Sequence, residues 1–170
     1  MSGTFSGVAG SGGVHGADVG GHCIFRGPSA AAVGHLLQDA RLPSADLASV
    51  DLQAFFACGS PESPDGVVGL ELHGRLALLR SLAVRRGRGS LGLGHALVEA
   101  AERHAWSHGV ARIYLLTTTA GGLFQRLGYA HADRDAAPAV IRHTREFTAL
   151  CPASAVLMVK RAPGKTSRPA

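Results

Sequence analysis

The chain is poor in cysteine and in aromatic residues, and it has no long hydrophobic run. Its three cysteines, Cys23, Cys58 and Cys151, lie far apart, so neither a disulfide framework nor a zinc-binding cluster is expected. No stretch approaches the roughly 18 consecutive apolar residues of a membrane-spanning helix. Aromatic residues make up 5% of the chain, and no basic helix interleaves them as stacking residues. The sequence therefore predicts no metal, no membrane and no nucleic acid as partners.

The first 21 residues also lack the charged segment and apolar core of a secretory signal peptide. They are rich in glycine without periodic apolar positions, so residues 1–21 are predicted to be disordered. The remaining length suits one domain, predicted over residues 22–161, with a frayed tail at 162–170. A cytoplasmic location is expected. The net charge of +5 suits an anionic cofactor and substrate, or it reflects an arginine-biased proteome.

An apolar strand, a basic glycine-rich turn and a helix follow one another between residues 82 and 106. The strand ends at Val84, and the turn carries Arg85, Arg86 and Arg88. The first amides of a helix have no intrahelical partner and lie at the positive end of its dipole, so glycines that admit an anion make this a phosphate cradle. The spacing fits neither a Walker loop nor a Rossmann fingerprint. The alternative is a plain strand-to-helix turn that uses glycine for its geometry.

The segment Leu82-Ala83-Val84 followed by Gly92-x-Gly94 resembles motif A of the GNAT N-acetyltransferases, which binds the pyrophosphate of acetyl-CoA. The family writes this loop as Arg/Gln-x-x-Gly-x-Gly/Ala. Here the first position falls on Gly89, and the arginine comes one residue earlier, at Arg88. The resemblance implies that acetyl-CoA is the co-substrate and that the Val84 N–H stabilises the oxyanion of the reaction. It assigns to acetyl-CoA the residues Leu82, Ala83, Val84, Arg88, Gly89, Ser90, Gly92, Leu93, Gly94, His95, Thr117 and Phe124.

A second segment, residues 117–129, resembles the family pattern Asn-x-x-Ala-x-x-Leu-Tyr-x-x-x-Gly-Phe/Tyr. Thr117 stands at the asparagine position. Phe124 stands at the position of the tyrosine that protonates the leaving thiolate in many family members, and it has no proton to donate. Either the thiolate leaves unprotonated, since the pKa of a thiol is about 8.5, or Tyr129 or a water donates the proton, or catalysis is slow.

The closing segment, residues 134–155, resembles the tail of a GNAT branch of arsenic-resistance N-acetyltransferases. Residues 78–82 and 115–120 agree with the same branch. This resemblance implies an acceptor like an amino acid that bears an arsenic or phosphinic oxyanion and is detoxified by acetylation of its α-amine. The alternatives are a GNAT enzyme for another amine or a peptide N-terminus, and a non-catalytic module that binds acyl-CoA.

Two arginines are candidates for binding the acceptor. Strict alternation along the strand puts Arg80 on the same face as Leu82 and Val84, with Ser81 on the other face. A charge within this apolar run is costly unless it meets an anion. The anion is an acidic group of the acceptor or a carboxylate of the chain; alternatively, the side chain extends to solvent from the edge of the sheet. Arg145 is the second candidate, with a solvated helix face as the alternative.

No residue is predicted to act as the general base. A two-residue turn at His73-Gly74 pairs Glu71 with Leu76, which puts Glu71 more than about 25 Å from the level of Val84 at about 3.3 Å per residue. Glu71 is therefore excluded, and a water or an amine that binds in its neutral form is expected to serve.

The fold implied by the resemblance is the GNAT acyl-CoA N-acyltransferase fold of the α/β (α+β) class. Its mixed, mostly antiparallel sheet is flanked by helices and splays between the strands that end at Val84 and Thr117. Acetyl-CoA is expected in the splay, where the acceptor amine attacks directly within a ternary complex. Dimers are common among similar proteins, so a homodimer is a candidate state.

Overall fold

Eight strands form one sheet, with helices on both of its faces, in a computed structural model that describes residues 16–88 and 92–164. The strands are β1 (Ala17–Val19), β2 (His22–Arg26), β3 (Phe55–Ser60), β4 (Ser63–His73), β5 (Leu76–Val84), β6 (Arg112–Thr117), β7 (Ala130–Ala132) and β8 (Val156–Arg161). The helices are α1 (Ala30–Asp39), α2 (Leu93–Ser107), α3 (Gly121–Arg126) and α4 (Ala139–Arg142). Two short 3-10 turns, Leu47–Ser49 and Leu52–Ala54, follow α1, and a π-helical turn, Glu146–Leu150, follows α4.

The sheet has the strand order β1-β2-β3-β4-β5-β6-β8-β7. Every neighbouring pair is antiparallel except β5 and β6, which are parallel. These two strands pair only through Leu76–Leu78 and Arg112–Tyr114, at the start of each strand. Because they separate beyond these residues, the sheet splays toward Val84 and Thr117. This architecture confirms the predicted GNAT fold.

Helix α2 covers one face of the sheet because its apolar residues recur at helical spacing. Leu93, Leu97 and Ala101 are at most 3% exposed and pack in one cluster with Leu70 of β4. Gly66 allows this close approach, since a Cβ atom there would lie 2.8 Å from the Leu97 Cδ1 atom. The glycine thus fixes how near α2 lies to the strands that flank the splay.

Helix α1 packs on the opposite face. Its N-terminus is capped by Ser29, whose Oγ accepts a hydrogen bond from the Ala32 N–H at 3.2 Å. Val33 and Leu37 are fully buried against Phe55 of β3. Farther along this side of the sheet, α4 and β8 form a third apolar cluster with residues of β5 and β6.

The beginning of the described chain is a strand and not a disordered segment. Residues 1–21 are predicted to be disordered, but Ala17–Val19 form β1 and pair with β2. The prediction is wrong for these residues because the glycines that suggested disorder form the turn: Gly20 and Gly21 both have positive φ. Residues 1–15 lie outside the part of the chain that the structure describes.

The β4–β5 hairpin turns one residue later than predicted. Gly74, with φ +64, and Arg75 form the turn, so Glu71 pairs with Leu78 and not with Leu76. A glycine with positive φ at the first turn position is typical of two-residue hairpin turns. The predicted register is therefore wrong by two positions, and Glu71 lies nearer the splay than expected.

A bulge at Ser81 changes the face on which the following side chains lie. Ser81 has φ +56, and the pairing of β4 with β5 shifts register there. An extra residue in one strand turns the residues after it to the other face. Leu82 and Val84 pack on the α2 side, whereas Arg80 lies on the opposite side with Asp46. The prediction that Arg80 shares a face with Leu82 and Val84 is wrong because it assumes strict alternation.

Candidate functional site

A cleft of about 390 Å³ opens where β5 and β6 separate. Leu79, Leu115 and Phe124, which belong to the α2-side cluster, form its apolar wall. Arg41 from the segment after α1 and Glu146 from the π-helical turn contribute charged groups. Arg80 of β5 lines the cleft as well. The cleft therefore presents an apolar surface, two guanidinium groups and one carboxylate to whatever enters the splay.

Backbone strain is concentrated in this cleft. Arg41 and Ser81 are the two non-glycine residues with left-handed backbone in the described part of the chain, each with φ +56. Both line the cleft. Such a conformation costs about 1–3 kcal/mol and clusters at functional sites. The strain marks this cleft as the candidate active site.

The N-terminus of α2 provides a cradle that fits a phosphate group. Gly92, with φ +72, is the N-cap residue, and no side chain caps the helix. A Cβ atom at Gly92 would meet nothing within 4 Å, and one at Gly94 would make only ordinary contacts with Val84 and Leu123. The first amides of α2 are therefore open to an anion such as the pyrophosphate of acetyl-CoA.

The turn before α2 is basic and anchored to the β3–β4 hairpin. Arg85 and Arg88 each lie 3.6 Å from the Asp65 carboxylate, and Arg85 also donates to the Ser63 Oγ at 2.6 Å. Two guanidinium groups share one carboxylate, so the turn keeps a positive charge beside the positive end of α2. This charge favours the same anion that the free amides favour.

The other predicted cradle residues fall into three groups. Leu93 is 3% exposed and anchors the helix in the core. His95 is exposed in the first turn of α2. Gly89 and Ser90 lie outside the described residues, so their assignment to acetyl-CoA stays a prediction.

The Val84 N–H points into the splay. The Arg85 N–H donates to the Asp65 carbonyl at 2.7 Å, so these two residues form a hydrogen-bonded pair. Bonded and non-bonded pairs alternate along an antiparallel ladder, so the adjacent pair, Val84 with Gly66, turns its amides away from the partner strand. The direction of the Val84 N–H fits its predicted role as the oxyanion donor.

Three of the residues assigned to acetyl-CoA by resemblance line the cleft, namely Leu82, Thr117 and Phe124. The Thr117 Oγ1 accepts a hydrogen bond from the Ala120 N–H at 2.9 Å and so shapes the turn into α3. Ala83 points away from the cleft: it pairs with β4, and its side chain is 3% exposed within the α1-side cluster. The predicted contact of Ala83 with the cofactor is wrong, because the bulge turns this residue to the α1 face.

Tyr129 does not line the cleft. Its ring packs edge-on against Phe124, with 5.5 Å between the centroids, and the Lys160 Nζ lies 5.6 Å from its centroid. Burial, together with the neighbouring Glu102 carboxylate, raises the pKa of Tyr129. The structure thus contradicts Tyr129 as the acid for the leaving thiolate, since its hydroxyl lies in the core beside Glu102.

Arg80 is bound by carboxylates of the chain itself. Its Nη1 donates to the Asp46 Oδ2 and the Glu71 Oε1, both at 2.6 Å. Its Nη2 donates to the Asp46 Oδ1 at 2.7 Å and lies 2.8 Å from the Glu146 Oε1. Its Nε donates to the Ser81 Oγ at 3.3 Å. The side chain is 1% exposed, so the predicted clamp on the acceptor is wrong and pairing with the chain's own carboxylates is correct.

This Arg80 cluster fixes the charge states around the cleft. Burial alone would raise the pKa of Asp46, but the hydrogen bonds and charge of Arg80 hold that pKa below its usual range. The Cys151 Sγ donates to the Glu146 Oε2 at 3.0 Å. Burial and then this carboxylate raise the pKa of Cys151 to about 12. Cys151 is therefore a thiol at neutral pH and not a nucleophile.

Arg145 lies in a different groove. It lines that groove with Asp46 and Glu71, on the other side of the Arg80 cluster, and does not line the cleft. Arg145 therefore does not belong to the cleft, and its role in binding the acceptor stays a prediction. The side chain is exposed, in agreement with the alternative of a solvated helix face.

Two charged residues of the cleft, Arg41 and Glu146, were not identified from the sequence. Arg41 lies at the position after the C-cap of α1, where the Leu42 N–H donates to the Leu37 carbonyl at 2.8 Å and the Arg41 N–H to the Gln38 carbonyl at 3.0 Å. Glycine is usual at that position, so an arginine there is the signal that sequence reasoning missed. Glu146 carries no such signal, because only the fold brings the π-helical turn to the cleft.

The described residues include no helix with the length and apolar character needed to cross a membrane. Within the same residues, no three His, Cys, Asp or Glu side chains are grouped so that they could hold a metal ion. His104 and His108, which lie one helical turn apart, stack on each other with 4.1 Å between their ring centroids. Burial lowers the pKa of His104.

No curated protein matches the sequence. Similar solved structures include Rv2747 from Mycobacterium tuberculosis in complex with CoA and a second ligand, at 19% identity and TM-score 0.69, over 82% of this chain and 99% of that one. The ribosomal-protein-S18-alanine N-acetyltransferase from Escherichia coli matches at 19% identity and TM-score 0.63, over 85% of this chain and 97% of that one. N-acetylglutamate synthase from Neisseria gonorrhoeae matches at 20% identity and TM-score 0.67, over 81% of this chain but only 34% of that one.

At identities of 19–20%, these structural matches show a common fold. The model of the acetyltransferase (GNAT) family matches residues 44–129, just over half of the chain, and this range includes β3 to β6, α2 and α3. The match thus contains both strands of the splay and the N-terminus of α2. On this match the chain belongs to the acetyltransferase (GNAT) family and is an N-acetyltransferase with acetyl-CoA as its co-substrate.

Proposed function

We propose that the enzyme acetylates the α-amine of a small, amino-acid-like acceptor with an anionic end, as in arsenic-resistance detoxification. The observation that carries this proposal is the Arg41 guanidinium at the cleft. Arg41 is exposed, and its side chain makes no hydrogen bond or ion pair with the described residues. An unpaired guanidinium on a strained backbone is suited to binding a carboxylate or an arsenic or phosphinic oxyanion.

Three further observations support an amino-acid-like acceptor. The cleft holds about 390 Å³, which suits a small molecule. The similar N-acetylglutamate synthase was solved with CoA and N-acetyl-glutamate, and again with CoA and L-arginine. Residues 134–155 resemble the tail of the arsenic-resistance branch, and in the structure this segment contributes one wall of the cleft.

The chain's residues divide the work of the reaction between them. Acetyl-CoA supplies an acetyl thioester. The open amides at the start of α2 and the basic turn would hold its pyrophosphate, and the Val84 N–H would donate to the carbonyl oxygen as it gains charge, which is worth about 2.7–4 kcal/mol for a comparable donor. Arg41 would hold the anionic end of the acceptor so that its amine lies against the thioester carbon.

The test is acetyl-CoA turnover, followed by thiol release, with matched pairs of acceptors. Each pair contains an amino acid with an anionic group, such as phosphinothricin, an arsenical amino acid or glutamate, and the corresponding amine without it. We expect the anionic member to be preferred. Arg41→Gln should lower kcat/KM for that member roughly 10- to 100-fold, as for loss of a charge-assisted hydrogen bond. Arg142→Gln, which removes an exposed arginine of α4, is the matched control.

Arg41→Gly separates binding from folding. Glycine adopts positive φ without strain, so this variant should unfold at a higher temperature than the wild type while it loses the same activity as Arg41→Gln. Equal turnover of both members of every acceptor pair would overturn the anionic acceptor. Turnover confined to peptide N-termini would favour an enzyme like the S18-alanine acetyltransferase instead.

A further inference from the structure

The Arg80 cluster contains more negative than positive charge. Three carboxylates, those of Asp46, Glu71 and Glu146, surround one guanidinium, so the cluster carries a formal charge of −2. The Asp46 and Glu146 side chains are 1% and 9% exposed, and a surplus of buried negative charge is costly. A cation that entered beside these groups would offset that cost.

The three carboxylates differ in the capacity that they leave for such a cation. Both oxygens of Asp46 accept from Arg80, so Asp46 is saturated. Glu71 faces the groove on the other side of the cluster, with its Oε2 3.5 Å from the His73 Nε2. Glu146 is the only carboxylate that lines the cleft among the described residues. Its Oε1 faces Arg80, and its Oε2 has the Cys151 thiol as its partner, which is a weak donor.

The backbone holds Glu146 in place. It is the first residue of the π-helical turn, and its carbonyl accepts from the Cys151 N–H at 2.9 Å. The ring of the next residue, Phe147, lies 4.4 Å below the Arg134 guanidinium. Turns of this kind are rare and occur frequently at functional sites. Glu146 therefore has a fixed position, a free acceptor site and access to the cleft.

We propose that Glu146 binds the ammonium group of the acceptor and takes the proton that the ammonium must lose before it can attack. The inference rests on the proposed function only in that the acceptor is an amine that enters the cleft as a cation. The sequence assigned this role to no residue of the chain. Glu71 lines the other groove and not the cleft, and Tyr129 lies in the core. Arg80 and Cys151 are positioning residues that orient the Glu146 carboxylate.

The proton balance of the step is complete. The ammonium gives one proton to the Glu146 Oε2 and becomes a neutral amine. The lone pair of the amine forms the carbon–nitrogen bond with the thioester carbon, and the carbon–sulfur bond breaks with its electron pair on sulfur. The second proton of the nitrogen passes to that sulfur, and Glu146 returns its proton to solvent. The sum is an amide, a thiol and one released proton.

Glu146→Gln is the test, with Glu71→Gln as its matched control. Both substitutions keep an oxygen for Arg80, but only the first changes the cleft. We expect Glu146→Gln to lower kcat about 100-fold or more at pH 7, as for the loss of a general base, with KM for acetyl-CoA unchanged. Glu71→Gln should change kcat less than about 3-fold. The acceptor is whichever amine the wild type acetylates best, so this test does not depend on the anionic group.

The pH profile gives a readout that a merely structural role would not change. As the pH rises toward the pKa of the acceptor amine, more of the amine arrives neutral and needs no base. The deficit in kcat of Glu146→Gln relative to the wild type should therefore shrink. The groups that contact Glu146 from neighbouring elements are Arg80 of β5 and Cys151 after the π-helical turn, with Asp46 and Glu71 reached through Arg80. Arg134, after β7, acts electrostatically on Cys151. A deficit that is constant from pH 6 to pH 9 would overturn the proposal.

Binding provides a second readout that needs no turnover. In the presence of CoA, calorimetry should show that Glu146→Gln raises the dissociation constant of the acceptor at least about 10-fold. The dissociation constant of an analogue that lacks the amine should not change. Equal weakening of both molecules, or equal losses in Glu146→Gln and Glu71→Gln, would make Glu146 a structural residue. If Glu146→Gln does not fold, Glu146→Asp replaces it in the test. This variant keeps the carboxylate but moves it away from the cleft by the length of one methylene group. Glu146→Asp should then retain the wild-type pH profile at reduced kcat, and wild-type kcat would contradict the proposal.

Discussion

At the scale of single residues, Arg80 joins three segments that are distant in sequence. From its place in β5, Arg80 binds Asp46 after α1, Glu71 of β4 and Glu146 of the π-helical turn. Removing one partner from a buried ion pair typically costs about 3–5 kcal/mol, because the remaining charge stays in a medium of low dielectric constant. The cluster therefore fixes the segments that flank the cleft, and it does so with a residue that alternation had placed in the substrate site.

Asp46→Asn should reveal the cluster through the pH dependence of stability. The pKa of Asp46 is lower in the folded state, so its charge stabilises the fold above the unfolded pKa of about 3.9, and this contribution is lost as the pH falls through the lower folded value. The variant should be less stable than the wild type at pH 7, and the difference in free energy of unfolding should shrink below about pH 4.

Urea unfolding at pH 7, 5 and 3.5 measures this difference. Asp39→Asn is the control, because it makes the same change at an exposed position at the end of α1. A difference between Asp46→Asn and the wild type that is equal at all three pH values would show that the fold does not lower the pKa of Asp46.

At the scale of elements, alanine is expected to have opposite effects on stability at two glycine positions, Gly69 and Gly34. Gly69 of β4 pairs with Phe55, and a Cβ atom there would lie 2.4 Å from the Phe55 Cζ. The Phe55 ring is fully buried and has no free direction in which to move, so Gly69→Ala should destabilise the protein by about 1–3 kcal/mol. Gly34 lies inside α1, and a Cβ atom there would meet only the Leu47 Cδ1, at 3.7 Å.

Gly34→Ala should therefore stabilise the protein by about 0.5–1 kcal/mol, since alanine loses less backbone entropy than glycine in a helix. Thermal or urea unfolding of the two variants and the wild type measures both effects. If both substitutions shift stability in the same direction, the close contact of Gly69 with Phe55 is not the reason for the glycine in β4.

Most of the elements were predictable from the sequence, but β1 and the register of the β4–β5 hairpin were not. The strands and α2 follow from apolar periodicity, and the cradle at Gly92 and Gly94 follows from glycine spacing and family resemblance. The bulge at Ser81 could not be predicted, because one extra residue reverses which face Arg80 shares without changing the local pattern. The contribution of Glu146 depends on contacts across the fold, which no local spacing encodes.

At the scale of the whole molecule, the sheet consists of two parts with a narrow connection. β1 to β5 form one part, and β6, β8 and β7 form the other. Three residue pairs, Leu76–Leu78 with Arg112–Tyr114, join the two parts of the sheet directly. Beyond them the cleft separates the strands, so a ligand in the splay would contact both parts at once.

Acetyl-CoA should therefore stabilise both parts of the sheet together. At 100 times its dissociation constant, a ligand of the folded state adds about 2.7 kcal/mol, which for a chain of this size raises Tm by about 5–11 °C. Hydrogen exchange should slow in residues 79–84 of β5 and also in β6 and β8. Pantetheine, which lacks the pyrophosphate, is the control and should stabilise much less, because it leaves the start of α2 empty. Protection confined to α2 and the basic turn would mean that acetyl-CoA binds the cradle without bridging the splay.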